Sequence, residues 1–130
     1  MTLAFDTSIL IAIEKGDKNI ISKVEELSKI HKLCPQLPFI SYYEFLKGLK
    51  MRMPKKYKEL LEFINQFNVL ETTKNTAEIL ADLKINYDKL GLVLPLADLL
   101  IASQAIENHL VLVTKDKDFE KIKELKKVVL

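Results

Sequence analysis

Short apolar runs alternate with longer amphipathic stretches along the whole chain. "TLAF" (2–5) ends at Asp6 and predicts a first strand, and "TSILIAIEKG" (7–16) predicts a short helix that stops near Gly16. Asp17 is placed to cap a second helix, in which Ile20, Ile21, Val24, Leu27, Ile30 and His31 recur at helical spacing. "LPFIS" (37–41) predicts the second strand, with Pro38 at its entry. Ser41 then predicts the N-cap of a helix through Lys50. Pro54 predicts the first residue of another helix, with Leu60, Leu61, Ile64 and Phe67 as its buried stripe.

"NVLET" (68–72) predicts a third strand. A long helix follows from Thr73 or Asn75 to Gly91, with Ile79, Leu80, Leu83, Tyr87 and Leu90 on its inner side. Pro95 opens a further helix. "HLVLVT" (109–114) is a continuous apolar run of the kind buried on both faces of a sheet, and "KVVL" at the end predicts an edge strand. Strands alternating with helices predict one α/β domain over residues 1–130. Its centre is a mainly parallel sheet of about five short strands, in three layers, with helices on both faces.

Composition narrows the function classes. Hydrophobic residues at 48% and charged residues at 29% suit a globular chain and exclude a disordered one. Acids interrupt every apolar run well short of the roughly 20 residues of a membrane span. "MTLAFD" carries no basic region of a signal peptide. Cys34 is the single cysteine, which excludes an intrachain disulfide and makes the cytoplasm the expected location. His31 and His109 sit in no zinc-binding spacing. The formal net charge is +2, so any grip on nucleic acid must come from a local patch.

Most acids lie among lysines and read as solvated faces. Asp6 in "LAFDTSILI", Glu44 in "FISYYEFL" and Asp98 in "PLADLLIAS" lie among apolar residues instead. Asp116 follows the strongest strand. Asp6 and Asp116 fall at carboxyl ends of strands, where open α/β sheets bind ligands. Glu44 and Asp98 fall early in helices whose starts can face the same crevice, and a helix start tolerates a carboxylate. Taken singly, each has a structural reading: Asp6 as an N-cap, Glu44 as the partner of Ser41 in a capping box, Asp98 as a complement to its helix dipole. Asp116 and Asp118 in "TKDKDF" read singly as turn residues. Taken together, converging carboxylates repel one another unless a hard cation such as Mg²⁺ or Mn²⁺ joins them, and such a site hydrolyses phosphodiesters.

The strand ending in "DTSIL", then "SYYEFLKGL", then "LPLADLLIASQAIENHLVLVTKDKDF" resembles, in that order, the PIN-domain family, and within it the VapC-type toxins of toxin–antitoxin pairs. The resemblance covers nearly the whole chain, and residues 94–119 are its most specific block. It departs at Asn108-His109, where many relatives carry a glycine. It implies a PIN-like fold and a Mg²⁺- or Mn²⁺-dependent ribonuclease with Asp6, Glu44, Asp98 and Asp116 as catalytic and metal-holding residues. Ser8 matches a hydroxyl residue beside the first acid, and Thr114 and Asp118 stand as site support. The resemblance also implies a homodimer and an antitoxin partner that blocks the crevice.

The RNA must be gripped by other residues. "KGLKMRMPKKYK" (47–58) offers Lys47, Lys50, Arg52, Lys55, Lys56 and Lys58 with no acid among them. The same run also reads as a solvated basic loop, with Met51, Met53 and Tyr57 facing a protein partner. Four other readings stand beside this one. A receiver-type phosphoacceptor needs an Asp ending a middle strand, which "NVLET" lacks. A haloacid-dehalogenase-type phosphatase needs an acid two residues after Asp6, where Ser8 stands. A catalytically silent binding module is disfavoured by the full acid set, whereas an RNA-processing PIN nuclease would carry the same residues.

Overall fold

The computed structural model describes residues 1–130. In chain order the elements are β1 (Leu3–Phe5), α1 (Thr7–Glu14), α2 (Lys18–Ile30), β2 (Gln36–Leu37), α3 (Phe39–Arg52) and α4 (Tyr57–Asn65). Then come β3 (Asn68–Val69), α5 (Lys74–Lys89), α6 (Leu96–Glu107), β4 (Val111–Thr114), a 3-10 turn (Lys117–Lys121) and β5 (Lys127–Val129). The five strands form one sheet in the order β3-β2-β1-β4-β5, and every pairing is parallel. The chain builds outward from β1 on one side and then crosses to β4 on the other. The gap between the ends of β1 and β4 is therefore the topological switch point of the sheet.

Side chains alternate across the central strands and define two cores. Leu3, Phe5 and Val113 pack with Ile9, Leu10, Ile20, Val24, Phe45, Leu49 and Ile64 on the α1–α4 side. Ala4 and Leu112 point the other way, into Leu83, Tyr87, Leu99, Ile101, Ala102 and Ala105 of α5 and α6. The sheet is thus covered on both faces, as the continuous apolar character of "LVLVT" requires.

Several boundaries differ from the sequence expectation. The second strand ends at Leu37, not at residue 41, because Pro38 occupies the N-cap and its carbonyl already accepts from the Tyr42 N–H at 3.2 Å. Ser41 is therefore the third residue of α3 and no cap, and its buried hydroxyl has no partner. The Ser41–Glu44 capping box does not form. Pro54 lies outside α4: Met53, at a left-handed φ of 44°, ends α3, and a turn closed by Tyr57 N–H to the Pro54 carbonyl precedes α4. The third strand stops at Val69; the Leu70 N–H still donates to the Leu37 carbonyl at 2.8 Å, and "ET" lies beyond the strand. β4 starts at Val111, after His109 adopts φ 55° in the position where a glycine would be free of strain. Its N–H bonds to the Ile106 carbonyl, and that of Leu110 to the Ala105 carbonyl, closing α6 in a Schellman motif.

One buried side chain ties these parts together. Gln104 of α6 is fully buried and accepts from the Phe39 N–H at 2.8 Å. Its amide nitrogen donates to Thr72 Oγ1 at 3.1 Å and faces the carbonyls of Glu71 and Leu70. It locks α6, which carries Asp98, to the start of α3, which carries Glu44. Gln104→Leu keeps the volume but strands the Phe39 N–H and these carbonyls. The expected loss is about 2–3 kcal/mol of unfolding free energy in urea denaturation, against less than about 0.5 kcal/mol for a substitution at exposed Glu78.

Candidate active site

The register that pairs Phe5 with Val113 sets Asp6 beside Thr114 at the carboxyl ends of β1 and β4. The Asp6 N–H continues the ladder by donating to the Val113 carbonyl at 3.1 Å. Its carboxylate is only 6% exposed and is nevertheless well satisfied. Oδ1 accepts from the Thr7 N–H at 2.8 Å, and Oδ2 accepts from Ser8 Oγ at 3.0 Å and Thr114 Oγ1 at 2.7 Å. Asp6 is thus the N-cap of α1, and it also faces the switch-point crevice.

Ser8 and Thr114 carry the order outward. Ser8 Oγ accepts from the Lys115 N–H, and Thr114 Oγ1 from the Asp116 N–H, each at 3.0 Å. Asp116 in turn caps the 3-10 turn, its Oδ1 accepting from the Asp118 N–H at 2.9 Å. Glu44, exposed on the second turn of α3, accepts from Thr7 Oγ1 at 2.9 Å. Asp98 lies in the first turn of α6 and accepts no hydrogen bond from another residue. Carboxylate oxygens of Asp98, Asp116 and Asp118 lie within 4.8 Å of one another.

The electrostatics follow from this crowding. Partial burial, and then the charges of Asp116, Asp6, Asp118 and Glu44, push the Asp98 carboxyl up to about 6. Lys121 reaches Asp118 at 3.3 Å, but no lysine or arginine forms an ion pair with Asp6, Glu44, Asp98 or Asp116. A cluster of hard oxygens short of positive charge matches the donor set that Mg²⁺ or Mn²⁺ takes. Neither histidine enters it: His109 precedes β4 at the far end of the sheet, and His31 follows α2 against the Met1 carbonyl.

Asp98, Asp116 and Asp118 form the closest group of acids, the charges of Asp6 and Glu44 reach Asp98, and Ser8 and Thr114 hydrogen-bond to Asp6. Asp118 lies in the same group of carboxylates as Asp98 and Asp116. The basic run divides. Arg52 is held by Glu14 through two hydrogen bonds, at 2.9 and 3.1 Å, so it is not a free cation for phosphate. Lys47 lies one turn from Glu44 on α3, and Lys50 one turn further. Lys55, Lys56 and Lys58 lie past the end of α3, with Arg52 already roughly 12 Å along the helix axis from Glu44. Two participants escape sequence reading. Thr7 could have been sought as the hydroxyl next to the first acid. Gln104 shows no local signal at all.

The raised Asp98 value fixes the sign of a pH effect. The metal-free folded state holds this proton more tightly than the unfolded chain. The favourable contribution is complete below the ordinary carboxylate range and is lost as pH rises through about 6. In EDTA, wild-type stability should fall between pH 4.5 and 7 more steeply than that of Asp98→Asn. At pH 7.5 the variant should be the more stable by about 1 kcal/mol, a figure that allows for solvent screening of a half-exposed group. Urea denaturation at pH 4.5 and at pH 7.5 decides it. A variant less stable than wild type at both would make Asp98 a structural residue.

No curated protein matches the sequence. Among solved structures, the fold is similar to VapBC2 from Rickettsia felis bound to a promoter DNA fragment, with 24% identity, TM-score 0.81 and coverage of 100% of this chain and 99% of that one. It is likewise similar to DNA-bound VapBC from Salmonella typhimurium, with 22% identity, TM-score 0.81 and coverage of 99% and 98%. VapBC-1 from nontypeable Haemophilus influenzae shares 26% identity at TM-score 0.77, with coverage of 99% and 98%. The family model for the PIN domain matches residues 3–125, which include every acid of the crevice, and the chain belongs to the PIN domain family.

Proposed function

We propose that this protein is a divalent-metal-dependent endoribonuclease, acting in the cytoplasm as the toxin half of a toxin–antitoxin pair. The observation that carries the reading is the grouping of Asp98, Asp116 and Asp118, with the Asp98 carboxyl pushed up by its burial and then by the charges of Asp116, Asp6, Asp118 and Glu44. PIN-domain membership supports nuclease chemistry. Similarity to VapBC complexes, running nearly end to end in both chains, supports the toxin assignment and an antitoxin as protein partner.

Asp98, Asp116 and Asp118 offer the closest set of oxygens for a cation, and Asp6 and Glu44 supply further negative field and ligand atoms. When bound, Mg²⁺ or Mn²⁺ supplies Lewis acidity at the phosphodiester and eases deprotonation of water. Ser8 and Thr114 hold Asp6 in a single orientation. With no histidine at the crevice, the acids themselves are the groups that take up a proton there. Lys47 and Lys50, then Lys55, Lys56 and Lys58, form a track along and beyond α3 for the RNA phosphates. We propose also that two copies of the chain pair, as the family resemblance implies.

Purified protein should cleave structured RNA in Mg²⁺ or Mn²⁺ and stop in EDTA. Asp6→Asn, Asp98→Asn and Asp116→Asn should each lower the rate by at least about a hundredfold. Gel analysis of end-labelled RNA reads the result, and cleavage that persists in EDTA, or in the Asp6 variant, would sink the metal mechanism.

The lysine track has its own measurement. Replacing Lys55, Lys56 and Lys58 by Ala should weaken RNA binding. It should also flatten the plot of log affinity against log salt by about 0.7 for each single-strand phosphate that a lysine no longer neutralises. A slope equal to that of wild type would assign these lysines to solvent or to a protein interface.

A further inference from the structure

We infer that Thr7 is the positioning residue for Glu44, holding one of its carboxylate oxygens so that the other is presented to the cation. This rests on the metal-site reading above. Thr7 is the first residue of α1 and touches two acids by two different groups. Its backbone N–H donates to Asp6 Oδ1 at 2.8 Å, and its hydroxyl donates to Glu44 Oε1 at 2.9 Å. The two acids come from different parts of the chain, Asp6 at the N-cap of α1 just past β1 and Glu44 on α3, and Thr7 hydrogen-bonds to both, to the first through its backbone and to the second through its side chain.

The acids differ in how they are held. Asp6 has three donors, so losing one leaves it fixed. Asp116 is held through the backbone of its own turn. Glu44 is exposed, has a long flexible side chain, and accepts a hydrogen bond from Thr7 alone. An ionised carboxylate cannot donate, so the single hydroxyl proton of Thr7 must point at Oε1, in a charge-assisted bond. Oε2 accepts no hydrogen bond from another residue. Threonine suits the task better than serine because branching at Cβ restricts χ1 and aims the hydroxyl before the bond forms.

Thr7→Val removes the hydroxyl while keeping the branched shape and the backbone N–H that binds Asp6. If Thr7 serves only to start α1, this change leaves metal binding alone. If Thr7 positions Glu44, the change loosens a ligand. The measurement is thermal stabilisation by Mn²⁺, titrated without RNA, for wild type, Thr7→Val, Thr7→Ser, Glu44→Gln and the Thr7→Val/Glu44→Gln double variant. Thr7→Val should raise the Mn²⁺ concentration for half-maximal stabilisation about tenfold, the effect typical of losing a group that orients a ligand. Thr7→Ser should recover most of that loss. The double variant should match Glu44→Gln alone, because Thr7 has nothing left to position. A Thr7→Val titration equal to wild type, or losses that simply add in the double variant, would overturn the inference while leaving the metal site standing. A wild type that Mn²⁺ does not stabilise would overturn the metal site and this inference together. Should Thr7→Val fold poorly, the comparison of Thr7→Ala in the wild-type and Glu44→Gln backgrounds carries the same test, with an equal loss in both backgrounds counting against positioning.

Discussion

Asp6 is a carboxylate buried where two parallel strands end, and its need for hydrogen bonds governs the surrounding backbone. A buried charge without donors costs several kcal/mol. The chain meets that demand with the start of α1, with Ser8 and with Thr114, all brought within reach by the pairing of β1 and β4. Ser8 and Thr114 then accept from the N–H groups of Lys115 and Asp116, which fixes the path of the loop leaving β4. Asp116 and Asp118 are therefore placed by the same network that satisfies Asp6. A change to Ser8 or Thr114 would disturb two acids at once, although neither hydroxyl belongs to the closest group of carboxylates.

Asp98 shows the opposite arrangement. It has no donor, four acidic neighbours and a raised affinity for a proton. Without a cation this arrangement opposes folding, and the rest of the molecule must offset it. The offset comes from apolar burial on both faces of the sheet and from Gln104, which locks α6 against the start of α3. The division is physically coherent: Asp6, the most buried of these acids, is saturated with hydrogen bonds, and Asp98, partly buried among other acids, accepts none.

The fold was largely legible in the sequence where the hydrophobic period was unambiguous. "LVLVT" and the stripe of α5 show this, as does Thr73, whose side chain caps that helix. Asp98 stood out because a charge inside "PLADLLIAS" has few structural uses. Boundaries failed where one pattern fits two structures. "PFIS" is apolar enough for a strand, yet Pro38 preorganises a helix start, and burial of Ser41 inside α3 removed the capping box that competed for Glu44. The pairings of Thr7 with Glu44, Gln104 with Phe39 and Arg52 with Glu14 span 37, 65 and 38 residues, and no local signal announces such partners. Arg52 in particular looked like part of a basic run until its tertiary acid was known.

The same charges set the terms on which a polyanion can approach. A net charge of +2 gives little overall attraction, and the crevice itself is strongly negative. RNA phosphate would be repelled at the very point where cleavage is proposed, unless a cation first reverses the local sign. The lysines along and beyond α3 form no ion pair with the acid cluster, so on the proposed reading their attraction for phosphate does not depend on a metal. Binding along the track and entry to the crevice are thus separable by charge. Screening by salt should act mainly on the exposed lysines, whereas proton and metal occupancy should act mainly on the partly buried acids, because solvent screens the two environments to different depths.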